Sequence, residues 1–293
     1  MNGTDILTLE AVLGVRHIPT RRVYNLFRKR KRCICGGEIK SAVDPHNPEM
    51  WIKEFIVQNE EELEEELEEE LQEELEEWNN EIRNTIKMLQ EEYQDSAQWL
   101  PTGMVISDNG NGNGKQIRMN KMSTLEDILR KIDLTEESKR ALIQQIADGV
   151  RWLHNTVRCA HNDIKVENIL VNEHPEEPND TKWDIRFIDF DSVSWEDGTN
   201  CDAGTSGYRS ATLSQTDCTL EDMKAADWYA VCAVALVIWF PSKENCCSLI
   251  DAPPENCRPQ RRADAVRIPT CIQKNDAYKE ALRSANIPFD EPT

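Results

Sequence analysis

The sequence lacks an apolar run long enough to cross a lipid bilayer. Its longest one covers the 12 residues 229–240, whereas a membrane-spanning helix needs about 20. A signal-peptide pattern is also missing, because residues 1–13 contain no basic start followed by an apolar stretch. We therefore expect residues 229–240 to form a buried core helix, in a protein that stays inside the cell and has no membrane partner.

The ten cysteines lack the regular spacing of a small disulfide-bonded domain. Cys33 and Cys35 lie close together, as do Cys246 and Cys247, but no further pair has the spacing of a zinc site. Intracellular proteins generally keep their thiols reduced. We therefore expect reduced cysteines and no metal bound by them.

Positive charge is scarce, with 34 Lys and Arg against 54 Asp and Glu and a net charge of −20. Residues 60–77 contain 13 Glu and no basic residue, so the remainder carries about −7. The net charge therefore describes one helix and says little about the substrate; we expect no nucleic-acid partner. The run Arg-Lys-Arg-Lys-Arg at 28–32 is either a nuclear-import signal or a solvated turn, so both a cytoplasmic and a nuclear location stay open.

The glutamate-rich stretch belongs to a pattern that predicts one long helix over residues 60–93. Leu63, Leu67, Leu71 and Leu75 recur every four residues and share one broad face. The glutamates on the other faces repel one another, so packing of the leucines must hold the helix. The stretch is either a solvated extension of a core helix or an acidic surface for a basic protein partner.

The remaining pattern places strands first and helices later. The expected strands cover 34–43, with a break at the paired glycines 36 and 37, and 50–56, 99–106, 116–119, 168–171 and 183–190. The further helices begin after the N-cap Thr135 and cover 224–240 and 277–284. This order suggests two lobes.

Four polar side chains suggest phosphoryl transfer. This reaction needs a carboxylate to take the proton of the attacking hydroxyl, cations to neutralise phosphates, and oxygen ligands for magnesium. Asp163, Lys165 and Asn168 supply one group of each kind within six residues, and Asp189 adds a carboxylate near the end of a strand. We expect these groups to converge.

Several motifs in order resemble those of the eukaryotic protein kinases. Residues 161–168, His-Asn-Asp-Ile-Lys-Val-Glu-Asn, closely resemble the catalytic loop His-Arg-Asp-Leu-Lys-x-x-Asn, and 189–191, Asp-Phe-Asp, resemble Asp-Phe-Gly. Gly-Thr-Ser-Gly-Tyr at 204–208 is similar to the substrate-side segment, and 227–231 resemble the start of the central helix. Together with residues 117–125 and 142–154, which also resemble stretches of the family, the motifs extend over about 110 residues and are specific as a set.

The resemblance implies a role for each residue. Asp163 would be the catalytic base, Lys165 would steady the transferred phosphate, and Asn168 and Asp189 would hold Mg²⁺. Asp227 would brace the catalytic loop from below.

The resemblance also implies an ATP site. Lys53 would contact the α and β phosphates, and its carboxylate partner would come from the long helix, with Glu81 preferred over Glu77. Residues 117–125 resemble the segment that links the lobes, which implies Met119 beside the back of the nucleotide pocket and Met122 among the nucleotide contacts.

The fold implied is α+β and bilobal: a small, mostly antiparallel N-lobe with one long helix, and a mainly helical C-lobe. We divide the chain into a basic extension 1–32, an N-lobe 33–119 and a hinge with C-lobe 120–293. Only 53 residues follow Phe240, so we expect a shortened C-lobe.

The chain departs from the family pattern in three places. The glycine-rich phosphate loop is reduced to residues 36 and 37, although amides that close over phosphates need small residues. Asp191 replaces the glycine of Asp-Phe-Gly, and Asn162 replaces the arginine of the catalytic loop. Without that guanidinium, a phosphate on the activation segment lacks its local partner, so we predict activity without activation-loop phosphorylation.

Three functions compete. The first is an active Ser/Thr kinase acting on protein substrates, which Lys165 two residues after Asp163 favours. The second is a pseudokinase that binds partners through the acidic helix, which the reduced glycine loop favours. The third is a small-molecule kinase of the aminoglycoside-phosphotransferase type, which Lys165 disfavours.

Overall fold

The computed structural model describes residues 37–44, 47–57, 65–89, 96–108, 115–171, 183–197, 201, 203–209, 218–240, 260–261, 266–267 and 276–290. These residues form two compact units. The first unit comprises the described residues up to Ile86 together with 102–121, and the second comprises those of 87–101 and from Met122 onward. The domain boundaries at residues 32 and 119 stay predictions.

An antiparallel sheet of four strands forms most of the first unit. Its strands are β1 (Gly37–Asp44), β2 (Asn47–Val57), β3 (Val105–Asp108) and β4 (Lys115–Asn120), in the order β1-β2-β4-β3. Ile117 and Met119 alternate with polar residues along β4 and are buried, as a sheet with one covered face requires. The register places Lys53 of β2 opposite Ile117.

One long helix, α1 (Glu65–Met88), follows the first two strands. Trp78, Ile82, Thr85 and Met88 are buried, and their three- and four-residue spacing puts them on one helix face. The predicted helix is confirmed over this range. The side chains of Leu63, Leu67 and Leu71 lie outside the described residues.

The second unit is mainly helical. Its helices are α2 (Ser96–Trp99), α3 (Leu125–Lys131), α4 (Glu136–Trp152), α5 (Leu220–Trp239) and α6 (Asp276–Ser284). A small sheet has the order β5 (Ser123–Thr124), β6 (Ile169–Val171), β7 (Ile185–Phe187), and further short strands are β8 (Gln260–Arg261), β9 (Val266–Arg267) and β10 (Phe289–Asp290). The predicted α+β architecture is confirmed.

Helix α4 begins where the sequence predicts. The side chain of Thr135 accepts a hydrogen bond from the backbone N–H of Ser138, 3.2 Å away, which satisfies one of the unpaired donors of the first turn. Further along, a Cβ on Gly149 would lie 2.4 Å from a ring carbon of Phe187 and 2.9 Å from one of Trp99. The helix therefore approaches these rings only because residue 149 has no side chain.

Helix α5 is buried on nearly all sides, which agrees with its apolar sequence. It begins four residues before the predicted start, because Thr219 and Asp222 form a reciprocal capping box. The part of the chain that the structure describes contains no helix both long and apolar enough to cross a membrane.

The strand predicted over 99–106 is wrong at its start. Trp99 ends α2, and β3 begins only at Val105. Pro101 cannot donate a backbone hydrogen bond, and Gly103 has a φ of +66°, so the intervening residues form a turn instead of a ladder.

Candidate active site

The loop 160–168 is held from below by one buried carboxylate. Asp227 accepts hydrogen bonds from the backbone N–H groups of His161, at 2.8 Å, and Asn162, at 2.9 Å. His154 Nε2 lies 2.9 Å from Asp227 Oδ2. Because Asp227 belongs to α5, a rigid helix orients the loop.

Asp163 is the centre of the cluster that the loop presents. Its Oδ1 accepts from the backbone N–H of Thr205 at 2.9 Å and from the Thr205 hydroxyl at 2.7 Å. Its Oδ2 accepts from the ammonium group of Lys165 and from Asn168 Nδ2, the latter at 3.0 Å. The carboxylate is thus fixed in place by donors on three sides.

Lys165 links this carboxylate to the substrate-side segment. Its Nζ also donates to the Thr205 hydroxyl oxygen at 2.9 Å. Burial alone lowers the pKa of Lys165, but the carboxylate of Asp163, with smaller effects of Asp189 and Glu167, raises it above the usual value. A protonated ammonium therefore stands beside the carboxylate at neutral pH.

Asn168 lies at the start of β6 with its amide nitrogen committed to Asp163. Nδ2 donates to the backbone oxygen of Asp163 at 2.9 Å as well as to its carboxylate. The backbone oxygen of Asn168 accepts from Ile188 N at 3.1 Å, one residue before Asp189. The antiparallel pairing of β6 and β7 thus brings Asn168 and Asp189 to one edge of the small sheet.

Asp189 has a left-handed backbone conformation, with a φ of 70°. Few residues other than glycine adopt this conformation readily, although Asp and Asn tolerate it better than most. Its carboxylate acts on the pKa of Lys165, so it lies within electrostatic reach of the Asp163 cluster. The four residues that the sequence singles out are therefore neighbours.

Two further residues of the loop were not predicted as site residues. The His161 ring is fully buried, 5.5 Å from the ring centroid of Phe190. Its Nε2 lies 3.2 Å from the carbonyl oxygen of Ile188, and Nδ1 accepts from Asp163 N at 3.4 Å, so the proton belongs on Nε2. These contacts of the His161 ring leave no signal in the sequence and are visible only in the structure.

Asn162 joins the loop to the residues after Asp189. It has a φ of 64°, and its Nδ2 donates to Ser192 O and to Ser194 Oγ, both at 2.8 Å. Backbone hydrogen bonds between Ala160 and Ser194, both 2.9 Å, run beside this link. A neutral amide thus connects these two segments directly.

The substrate-side segment approaches the loop through Gly204 and Thr205. Gly204 has a φ of +108°, and a Cβ there would lie 2.7 Å from the backbone oxygen of Asn162. Glycine is required for both reasons. The motif marked this position in the sequence, but the contacts of Thr205 with Asp163 become visible only in the structure.

The end of α1 also contacts the residues after Asp189. Lys87, which belongs to the second unit, places Nζ 3.5 Å from the ring centroid of Trp195, within the range of a cation–π interaction. Burial lowers the pKa of Lys87, which nearby Cys159 and Glu196 partly offset. Sequence reasoning missed this pair because the two residues are distant along the chain.

The first unit contains the predicted lysine–glutamate pair. Lys53 Nζ lies 2.7 Å from Oε1 and 2.7 Å from Oε2 of Glu81, whose side chain is only 4% exposed. Glu77, the alternative, is exposed. The helix carboxylate beside Lys53 is thus Glu81, while the role of the pair in binding a nucleotide stays a prediction.

The two methionines expected near the nucleotide lie close together in the chain but in different units. Met119 is buried in β4 opposite Trp51. Met122 is buried at the start of the second unit, directly before β5. The structure describes no contact that tests their predicted role.

A disulfide joins Cys201 and Cys218, with their Cα atoms 5.7 Å apart. The expectation of reduced cysteines is therefore wrong for this pair, because the fold brings two residues 17 positions apart into bonding distance. Cys159 and Cys232 are free and buried. Among the described residues, no group of three or more His, Cys, Asp or Glu side chains could hold a metal ion; the pairs Cys33–Cys35 and Cys246–Cys247 lie outside them.

A family model for the protein kinase domain matches residues 36–247, more than half of the chain. The chain therefore belongs to the protein kinase family. This agrees with the antiparallel sheet of the first unit and the helices of the second.

Curated relatives match a shorter stretch. The chain is 41% identical over 66 residues to the probable serine/threonine-protein kinase fhkE of Dictyostelium discoideum, covering 22% of this chain and 9% of that protein. It is 38% identical over 68 residues to the DNA damage response protein kinase DUN1 of Saccharomyces cerevisiae, covering 22% of this chain and 13% of that protein. The chain thus matches only about a tenth of the length of these relatives.

Proposed function

We propose that this chain is a serine/threonine protein kinase that transfers the γ-phosphoryl group of ATP to a hydroxyl of a protein substrate. The observation that carries the proposal is the convergence of Lys165, Asn168 and Thr205 on the carboxylate of Asp163. The two curated relatives, both named as protein kinases, support this activity.

Asp163 is the proposed catalytic base. Its four contacts are all donors, two on each oxygen, and they orient the carboxylate. A substrate hydroxyl would donate to it in place of one of them. The hydroxyl oxygen attacks the γ-phosphorus while the bond to the bridging oxygen of ADP breaks, and the hydroxyl proton passes to Asp163. Lys165 then offers its ammonium group to the transferred phosphate.

The residues present fit a magnesium ion. Asn168 commits its amide nitrogen to Asp163, which directs the amide oxygen elsewhere, and Asp189 adds a carboxylate. Carboxylate and amide oxygens are the ligands that Mg²⁺ accepts. When bound, the ion would neutralise charge on the phosphates. In the first unit, Lys53 would contact phosphate oxygens in a position fixed by Glu81.

Activity without activation-loop phosphorylation is part of the proposal. Asn162 stands where the family has an arginine that binds such a phosphate. Its amide already links the catalytic loop to Ser192 and Ser194. This link supports an activation segment that takes its working conformation without a phosphate.

The competing function is a pseudokinase. The reduced glycine loop at residues 36 and 37 favours it, and the acidic stretch 60–77 would then bind a basic protein partner. Location inside the cell, in the cytoplasm or nucleus, also stays a proposal, with the basic run 28–32 as the candidate nuclear-import signal.

A thermal-shift titration with Mg-ATP tests nucleotide binding first. Binding to the folded state stabilises it by RT ln(1 + [L]/Kd), about 2.7 kcal/mol at a hundredfold excess over Kd. The proposed kinase shows a rise in the melting temperature that increases with Mg-ATP, whereas the pseudokinase that binds no nucleotide shows none.

A transfer assay with radiolabelled ATP and a generic basic protein then tests catalysis. Asp163→Asn should lose about 10²–10⁴-fold in rate, while keeping the Mg-ATP shift of the native protein. Asp148→Asn, an exposed carboxylate on α4, serves as the matched control and should keep full activity. Transfer to amino sugars but not to protein would overturn the proposal in favour of the small-molecule kinase.

A further inference from the structure

The Cys201–Cys218 disulfide bridges both ends of a segment that includes the substrate-side motif. We call residues 201–218, of which the structure describes 201, 203–209 and 218, the bridged segment. Cys201 precedes Thr205 by four residues, and Cys218 directly precedes Thr219, the N-cap of α5. The bond therefore fastens the chain on either side of Thr205 to the start of one helix.

That helix is the element that orients the catalytic loop. Its first turn is fixed by the capping box of Thr219 and Asp222, and its third turn carries Asp227, which holds His161 and Asn162. Cys218 therefore lies directly before the helix that positions Asp163. A disulfide from Cys218 to Cys201 limits how far Thr205 can move from that helix.

The disulfide lies in buried, apolar surroundings. Cys201 is 7% exposed and Cys218 is 6% exposed, and both lie in one apolar cluster with Ala160, Met223 and Ala226. Ala160 directly precedes His161. The disulfide thus packs against the catalytic loop as well as against the first turns of α5.

At its other end the tether acts on Thr205. The backbone N–H and the hydroxyl of Thr205 donate to Asp163, and the hydroxyl accepts from Lys165. Only these hydrogen bonds, and no covalent bond, join Thr205 directly to Asp163 and Lys165. A disulfide four residues away restricts the conformations of the bridged segment, so less entropy is lost when the hydrogen bonds of Thr205 form.

We propose that Cys201 and Cys218 are positioning residues whose oxidation state sets the substrate-side geometry of the kinase. The proposal deepens the proposed function and rests on it. Two thiols react with a small-molecule disulfide: the sulfur–sulfur bond of the protein forms, the small disulfide is reduced to two thiols, and the two protons of Cys201 and Cys218 pass to them. A thiol in excess reverses the exchange.

The first experiment compares the full chain, oxidised with glutathione disulfide, with the same protein reduced by dithiothreitol. We expect kcat/KM for a protein substrate to be about tenfold higher in the oxidised form, because the reduced chain must order residues around Thr205 whose conformations the disulfide otherwise restricts. KM for ATP should change much less, because Lys53 and Glu81 lie in the other unit and Asn168 is held by Asp163. Equal kcat/KM in both forms would overturn the proposal.

The variant Cys201→Ala/Cys218→Ala is the matched control for the other eight cysteines. It should behave like the reduced native protein in both buffers and show no response to dithiothreitol. A redox response retained in this variant assigns the effect to other cysteines and contradicts the proposal. Alanine suits an apolar cluster, and the reduced native protein supplies the same comparison without any substitution.

Hydrogen exchange separates this proposal from the proposed function. The amides of Thr205, Tyr208 and Arg209 donate hydrogen bonds in the structure, and they should exchange faster after reduction, with the amides of α4 unaffected. If the protein transfers no phosphate in either form, the proposed function fails, and the exchange rates still decide whether the disulfide positions Thr205. Exchange rates of these amides that do not change on reduction would refute the positioning role of the disulfide.

Discussion

The backbone N–H of His161 donates a hydrogen bond to Asp227 Oδ2 at 2.8 Å, although the two residues are 66 positions apart. Asp227 is 1% exposed and also receives the N–H of Asn162 on its other oxygen. One side chain therefore satisfies two buried donors of the catalytic loop.

Asp227→Asn should destabilise the second unit. An amide has one acceptor oxygen, so its NH₂ group would face a backbone donor, and hydrogen bonds to charged groups contribute about 1.5–3 kcal/mol each. We expect the free energy of unfolding to fall by about 2–4 kcal/mol, measured by urea denaturation.

The matched control is Asp148→Asn, whose carboxylate is 46% exposed and pairs with Arg151 on the same helix. Exposed pairs contribute about 0–1 kcal/mol. An equal loss in the two variants would contradict the bracing role of Asp227.

Lys53 and Glu81 should be coupled energetically. Their groups are 2.7 Å apart and largely buried, so removal of one partner leaves the other charge without compensation. A double-mutant cycle with Lys53→Met and Glu81→Gln, read by chemical unfolding, should give a coupling energy of about 1–3 kcal/mol.

The same cycle with the pair Lys279 and Asp276, whose carboxylate is 89% exposed and therefore well solvated, should give less than about 1 kcal/mol. Lys53→Met should also weaken the Mg-ATP thermal shift. Additive effects of the two substitutions would show that the pair does not act as a unit.

Asn162→Gly isolates the amide that links the catalytic loop to Ser192 and Ser194. Glycine accepts a φ of 64° without strain, so only the side-chain hydrogen bonds are lost. We expect kcat to fall by up to about 30-fold, given about 1 kcal/mol for each of two bonds and a tenfold change in rate for every 1.36 kcal/mol, with little change in the Mg-ATP shift.

Phosphatase treatment of the native protein supplies the companion measurement. It should leave kcat unchanged, because the neutral amide already stands where a phosphate-binding arginine would otherwise lie. A large loss of activity after dephosphorylation of the activation segment would contradict this expectation.

The cluster of Asp163, Lys165 and Asn168 was predictable because the three residues lie within six positions of the chain. The choice of Glu81 was harder, since a helix with many glutamates offers several candidates of the same spacing. Burial distinguishes it from the exposed Glu77, and burial depends on tertiary packing, which the local pattern reveals only in part.

Other features were invisible to sequence reasoning for the same reason. Cys201 and Cys218 carry no spacing signature, and their pairing arises because the chain returns to the start of α5. Likewise, the ring of Trp195 beside Lys87 results from a contact across more than a hundred residues. The early start of α5 is different, because the capping pattern of Thr219 and Asp222 is local and visible in the sequence itself.

Lys165 should remain charged through the neutral and mildly alkaline range. Its pKa is raised above 10.5 by the neighbouring carboxylate of Asp163, against the opposite effect of burial. A folded pKa above the unfolded one gives a stabilisation that is complete below the unfolded pKa and is lost as the pH rises through the folded pKa.

The free energy of unfolding of the native protein minus that of Lys165→Met should therefore be constant between about pH 6 and 9. Urea denaturation at several pH values measures it, and Lys165→Arg, which keeps the charge, serves as the control. A difference that declines before pH 9 would show that the carboxylate does not hold the proton on Lys165.

The packing of α6 on α5 has a practical consequence for expression. Tyr278 is fully buried, donates its hydroxyl hydrogen to Cys232 O at 3.2 Å, and lies beside the rings of Trp239 and Phe240. A shortened polypeptide ending at residue 240 would expose this apolar surface to solvent and should accumulate in inclusion bodies. Truncations intended for crystallisation therefore need to retain the stretch through Ile287, which is itself buried.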